Sequence, residues 1–329
     1  MAQKYTATIH RHRGYRAAAQ IRIKLKFFVY RAHQGKERAY INALRRAGYR
    51  PSISGRANTK FILYDLDMGR RRPHLDRYAQ RKTPIFLYPH TARPQIIWDG
   101  IWEPHPGITC NFVIASGHEE VMRAYGYPYP IEVTGWAFCE LLPFQPVKEV
   151  RNILFGPMHP SVWGSQPEID IETNKTVYKK LLEYCGDTKT QLTVRHINRL
   201  ALSGLWEVPG VKYIRARPDL SVREIDAADL VIGHQTFAYL ALARGKPVLM
   251  AGENIPPHSI TRNNATLYVK SWEKYAELMA YPLDALTGDI GELVETARKR
   301  NAKVSAWRKK FIGEPFDPGE FVRKLESYL

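Results

Sequence analysis

A chain of 329 residues, 44% of them hydrophobic, can bury two cores of ordinary domain size, which excludes a disordered polymer as the starting expectation. No apolar run is long enough to span a bilayer, and no basic segment leads through an apolar stretch to a small-residue cleavage site, so the expectation is a soluble, cytoplasmic protein. The net charge of +17 is unevenly spread: residues 1–100 hold 22 of the 49 basic and 5 of the 32 acidic side chains, and the remainder balances at 27 of each. One-sided positive charge concentrates polyanions by steering and counterion release. The partners it points to are nucleic acid, an anionic glycopolymer or an anionic membrane surface, weighed against a solvated basic face with no partner. Cys110, Cys139 and Cys185 match neither a zinc spacing nor a disulfide framework, and the histidines form no HExxH pair, so no structural metal is expected, while a loosely held catalytic divalent cation stays open and is not required.

Behind a basic leader carrying Arg11, Arg13 and Arg16, the run IRIKLKFFVYR from Ile21 predicts a strand with Lys24 and Lys26 on its wet face. Residues 35–47 predict a helix whose apolar stripe is Tyr40, Ile41 and Leu44, stopped by Gly48. Strands follow at KFILYDL from Lys60, at PIFLY from Pro84 and at NFVIAS, the last leading into a helix near Gly117, and IEVTGW closes the first half at Ile131 to Trp136. This alternation predicts a parallel, doubly wound sheet. Between Leu141 and Arg151 the run LLPFQPVKEVR has two prolines and no helical stripe. It is the expected linker, with the boundary near Val150, so that residues 1–150 form a basic domain and residues 151–329 a second one.

The second half starts again with the strand NILFG at Asn152, the loop PMHPSVWGSQPE and a helix around Lys175 to Tyr184. Strands QLTVRH and VKYIRA, a short helix SVREIDAA, the strand DLVIG, a helix from Gln235 to Arg244 and the strand KPVLMAG complete a second βαβ series. Closing helices are expected over Ile290 to Arg300 and Pro318 to Tyr328, the last a candidate to pack back on the first domain.

The strongest chemical signal is DLVIGHQTFAYLALARGKPVLMAGE, from Asp229 to Glu253. An apolar strand ends at Gly233, and His234, Gln235 and Thr236 stand where a helix begins, where orphan N–H groups and the helix dipole favour phosphate. The strand, polar turn, Ala-rich helix and GKPVL that follow resemble the nucleotide-binding core of GT-B glycosyltransferases and of their relatives, the non-hydrolysing nucleotide-sugar epimerases and glycerophosphotransferases. That resemblance implies an α/β, GT-B-like fold of two Rossmann-like domains with a cleft between them. It also implies a nucleotide-sugar donor, a UDP-sugar in first place, with its diphosphate on Gly233, His234, Gln235 and Thr236. Many such transferases carry an acidic residue for the ribose where this chain has Leu240, which shifts ribose recognition to another group, Glu253 being the candidate. The resemblance brings Gly156 and His159 of FGPMHPS to the donor phosphates or the acceptor, and the stretch from Arg215 and Arg217 to Glu224 resembles the base-binding region. Arg195 and His196 end a predicted parallel strand, where cations would offset charge on a leaving diphosphate.

In the first half LYPHTARPQIIWDG carries His90, Thr91, Arg93 and Asp99 directly after a strand. Deprotonating an acceptor hydroxyl needs a His or a carboxylate in reach, so His90 and then Asp99 are the candidate catalytic bases, against a strand-end cap and a turn residue. Arg70, Arg71 and Arg72, with Arg77, Arg81 and Lys82 behind them, join Arg11, Arg13, Lys24, Lys26 and Arg93 as candidate acceptor contacts. Tyr5, Tyr15 and Tyr49 interleave rings with this charge, as nucleic-acid surfaces do. The expected acceptor is DNA with hydroxymethylated bases, as decorated by bacteriophage glycosyltransferases, in a host cytoplasm. The alternatives are a glycerophosphotransferase or a capsule or teichoic-acid transferase acting on surface polymer, and a non-catalytic nucleic-acid-binding protein.

Overall fold

The computed structural model describes residues 6–10, 34–52, 59–64, 73–89, 92, 105–124, 126–158, 167–197, 202–203, 205–217, 221–251 and 277–329. The chain divides into two compact units, Met1–Phe138 with Gly313–Leu329, and Cys139–Ile312. Each is α/β, as the alternating pattern predicts.

Among the described residues, the first unit has six strands, β1 (Thr6–His10), β2 (Arg50–Ser52), β3 (Thr59–Tyr64), β4 (Ile85–Leu87), β5 (Ile108–Val113) and β6 (Ile131–Val133), in the spatial order β2-β1-β3-β4-β5-β6. All neighbours are parallel. Its helices are α1 (Gln34–Arg46), α2 (Pro73–Gln80), α3 (Ser116–Ala124) and, from the far end of the chain, a C-terminal helix described below. The pleat sorts the strand residues. Phe61, Phe86 and Phe112 form a ladder of rings with centroids 5.7 and 5.8 Å apart, capped by Tyr40 and Leu44 of α1. Ile62, Ile85, Leu87 and Ile108 pack with Leu75 and Tyr78 of α2 in a separate cluster. Two covered faces explain why these strands are continuously apolar.

The second unit contains β7 (Asn152–Phe155), β8 (Gln191–His196), β9 (Lys212–Arg215), β10 (Leu230–Gly233) and β11 (Val248–Met250), with helices α4 (Pro167–Thr188), α5 (Ser221–Asp226), α6 (Gln235–Ala243), α7 (Ile290–Ala297) and α8 (Ala302–Phe311). Its order β11-β10-β7-β8-β9 is parallel throughout. Counted within the unit from the other edge, the strands run third, second, first, fourth, fifth, the doubly wound order whose direction reverses between the first strand and the fourth. Here that switch point lies between β7 and β10. The helix α9 (Pro318–Glu326) belongs to the first unit. Its Phe321 meets Tyr40 at 4.9 Å and Phe112 at 5.0 Å, and Glu326 accepts a hydrogen bond from the Tyr49 hydroxyl at 2.9 Å.

Several elements differ from the sequence expectation. The leader contains β1, whose TATIH has one large apolar residue and so a weak strand signal. The basic cluster around Arg77 runs into α2, whose buried Leu75 and Tyr78 are hidden among charges. Helix α8 hangs on Val304, Trp307 and Phe311 between lysines, and Asn301 caps it by accepting from Lys303 and Val304 N–H. The segment 141–151, expected to link two domains, runs inside the second unit. Leu142, Gln145 and Val147 donate to the carbonyls of Ala243, Gly245 and Arg298 at 2.8, 2.8 and 3.0 Å. Gly245, at φ 73°, is held so close that a Cβ would run into the Pro143 carbonyl. Pro143 and Pro146 keep this strap extended, and the N–H groups of Leu142, Gln145 and Val147 have fixed acceptors.

Candidate nucleotide-binding crevice

In open α/β sheets ligands collect beyond the carboxyl ends of the strands at the switch point. In the second unit those ends are Phe155–Gly156 from β7 and Ile232–Gly233 from β10, tied together by the Gly156 N–H donating to the Ile232 carbonyl at 2.8 Å. After Gly233, His234 adopts extended backbone (φ −136°, ψ 166°) as N-cap of α6, and its side chain makes no capping bond. The first backbone hydrogen bond of α6 is long, Ala238 N–H to the His234 carbonyl at 3.4 Å. The amides of Gln235, Thr236 and Phe237 therefore stand in the first turn, where a helix offers donors with no partner inside it. Thr236 is half-buried.

Gly156 and Gly233 are the glycines expected to let phosphate approach the backbone. The structure uses them to seat a ring. A Cβ on Gly156 would lie 2.6 and 2.7 Å from Phe237 Cδ1 and Cε1, and one on Gly233 would lie 2.7 Å from Cδ1. Arg195, at the end of β8, places its guanidinium carbon 4.8 Å from the same ring's centroid. It is 9% exposed, and its Nε donates to Glu224 at 2.5 Å and its Nη2 to Ser221 Oγ at 2.6 Å. Glu224 and Ser221 come from α5, so one chain of contacts joins α5, β8, α6, β7 and β10. Glu224, which the base-binding resemblance brought in, is here the carboxylate that neutralises Arg195.

Sequence reasoning missed Phe237. The available signal was the pair of glycines closing two strands, since glycine at a strand end marks a place where something comes close. His196 is half-buried, and Arg215 and Arg217 are exposed. Gln235 begins α6. The candidates His90, Asp99, His159, Glu253, Arg11, Arg13, Lys24, Lys26, Arg70, Arg71, Arg72 and Arg93 lie outside the described residues.

In the first unit the structure pairs His105 with Asp76, Nε2 to Oδ1 at 3.0 Å, a dyad absent from the sequence reading. The Gly107 N–H donates to His105 Nδ1 at 3.0 Å. That bond fixes the proton on Nε2, which points to Asp76, so both nitrogens are spent and the 1%-exposed ring is a clip rather than a base. Among the described residues no group of three or more His, Cys, Asp or Glu could hold a metal ion, and no helix is long and apolar enough to cross a membrane.

No protein-family model matches the chain, and no curated protein does. Solved structures do resemble it. The glycosyltransferase SnogD from Streptomyces nogalater is 14% identical, with TM-score 0.48 over 99% of this chain and 100% of that one. A UDP-GlcNAc 2-epimerase from Neisseria meningitidis bound to UDP-GlcNAc is 11% identical, with TM-score 0.46 over 99% and 100% of the two chains. An alpha-glucosyltransferase in complex with UDP and a 13-mer DNA containing a HMU base is 7% identical, with TM-score 0.42 over 99% of each.

Proposed function

We propose that this chain is a nucleotide-sugar-dependent glycosyltransferase of GT-B type, with a UDP-sugar donor and a polyanionic acceptor, DNA with hydroxymethylated bases first. One observation carries the donor half: in the second unit the turn Gly233–His234–Gln235 opens α6 at the switch point of a doubly wound sheet, where backbone amides and the helix dipole suit a diphosphate. The acceptor half is carried by charge. All of the net +17 lies in residues 1–100. Strands β1 and β3 are neighbours, with His10 opposite Tyr64, and in sequence Arg11 and Arg13 follow the one and Arg70, Arg71 and Arg72 the other.

In this reading His90, or Asp99, takes the proton from the acceptor hydroxyl. The hydroxyl oxygen bonds to the anomeric carbon of the sugar, the bond from that carbon to the diphosphate oxygen breaks, and the nucleoside diphosphate leaves with the electron pair. A base in duplex DNA must be turned out of the stack before its hydroxyl can meet a sugar carbon.

A second reading, a nucleic-acid-binding protein without transferase activity, is favoured by the Phe237 ring over the strand ends. Thermal shifts with UDP, CDP, GDP and TDP, followed by incubation of labelled donors with hydroxymethylated DNA and with anionic surface polymer, separate the readings. A nucleotide-dependent rise in Tm and label in DNA are expected. Label in the polymer alone moves the acceptor to a cell-surface glycan. DNA binding with no nucleotide effect establishes the second reading.

A further inference from the structure

Arg195 has the position of a phosphate ligand, at the carboxyl end of a strand beside the switch point, but its bonds point elsewhere. Two edges of the guanidinium are taken by Glu224 and Ser221, at 2.5 and 2.6 Å, and its face covers Phe237 at 4.8 Å. A buried cation with a short carboxylate partner presents little net charge to a ligand. Phe237, for its part, is the third residue of α6 and bears on both strand ends, so it ties the helix start to β7 and β10 at once.

We infer that Phe237 is a positioning residue for the donor diphosphate, wedged against Gly156 and Gly233 to hold the first-turn amides of α6 in line, and that Arg195 and Glu224 act through its ring rather than on the phosphates. This rests on the donor site proposed above. A planar ring is needed because its Cδ1–Cε1 edge must sit against two Cβ-free strand ends while it offers a face to the guanidinium. Arginine is needed because lysine supplies the charge but neither the plane nor the two-point hold on Glu224 and Ser221. Each member fixes its neighbour, so the three should act as one unit on ligand affinity.

The test is UDP binding by titration calorimetry to the full chain, for wild type, Phe237→Tyr, Phe237→Leu, Arg195→Lys and the double variant Phe237→Leu/Arg195→Lys, with the Tm of each. If wild type binds none of UDP, TDP, GDP or CDP, the donor site itself falls. Given wild-type binding, Phe237→Leu and Arg195→Lys should each weaken UDP about tenfold, Phe237→Tyr should keep wild-type affinity, and the double variant should bind no worse than the weaker single. Three results overturn the inference: additive losses, near-normal binding by Arg195→Lys, or lowered Tm with unchanged affinity, which would make the ring merely structural.

Discussion

Replacing Gly156 by alanine separates the two uses a strand-end glycine can have. Its φ is not positive, so alanine fits the backbone, and the added methyl meets one obstacle, the Phe237 ring at 2.6 and 2.7 Å. Carbon atoms rest at about 3.5–4.0 Å, so the ring must retreat by roughly 1 Å. Forcing that movement on a packed ring costs about 1–3 kcal/mol. In a Phe237→Ala background the obstacle is gone, and the same methyl should cost less than about 0.5 kcal/mol, leaving a coupling of about 1–3 kcal/mol in the double-mutant cycle. Gly233→Ala meets the same ring, with Cδ1 at 2.7 Å, so the two alanines together should cost less than the sum of each alone. Urea unfolding, read as midpoint shifts at constant m-value, measures every corner of the cycle. Equal cost of Gly156→Ala in both backgrounds would show that the glycine serves something other than the ring, and the argument for Phe237 would fail.

Cys110 and Cys185 report on the two units separately: burial pushes their thiols up, to about 12 and about 11, so at pH 8 both are protonated and should react with a thiol reagent only as their unit opens, after half-buried Cys139. Fast labelling of all three in the native chain, seen by mass spectrometry, would contradict their burial. Phe321→Ala removes a fully buried ring that meets Tyr40 and Phe112 and should cost about 3–5 kcal/mol, a urea midpoint shift of roughly 2 M. Cys110 should lose protection while Cys185 keeps it; an unchanged Cys110 would detach α9 from the first unit's core. Replacing Arg70, Arg71 and Arg72 by alanine should weaken DNA binding and reduce the slope of log affinity against log salt by about 0.9 for each phosphate no longer neutralised, with UDP affinity intact. An unaltered slope removes these residues from the acceptor surface.

What could be read in the sequence divides by mechanism. Strands covered on both faces announce themselves, and NILF, QLTVRH and LVIG are β7, β8 and β10 within a residue of their expected bounds. Helix α1 is legible because Tyr40 and Leu44 recur at helical spacing and Gly48, at φ 89°, stops it. Helix α4 is expected over Lys175 to Tyr184 and runs from Pro167 to Thr188. Its buried Thr173 and Asn174 explain the short expectation: Asn174 turns inward to exchange hydrogen bonds with the backbone of Met158 at 2.7 and 2.8 Å, a role no polarity pattern reveals. Arg195 shows the limit most clearly. Its place at a strand end is a matter of periodicity and is legible, but its partners Glu224 and Ser221 are 29 and 26 residues away, and only the fold brings them.

That capture of Arg195 bears on how an anion could be held at all. Leu240 occupies the position where the resemblance places an acidic ribose ligand, and it is 5% exposed, so a carboxylate there would bear the cost of burial. Arg195 and Glu224 neutralise one another within the same unit. The described side chains at this turn therefore bring little net charge of either sign, and residues 101–329 as a whole balance at 27 basic and 27 acidic groups. On the proposed reading, a diphosphate at this turn would be held chiefly by oriented amides, whose dipoles are fixed by α6 and not by mobile charges. Holding by dipoles is less sensitive to salt than holding by lysines on a surface, whereas a polymer met by the basic residues of the first hundred must respond steeply. Donor affinity nearly flat between low and physiological salt, beside acceptor affinity that falls by orders of magnitude, is the signature this division of labour requires.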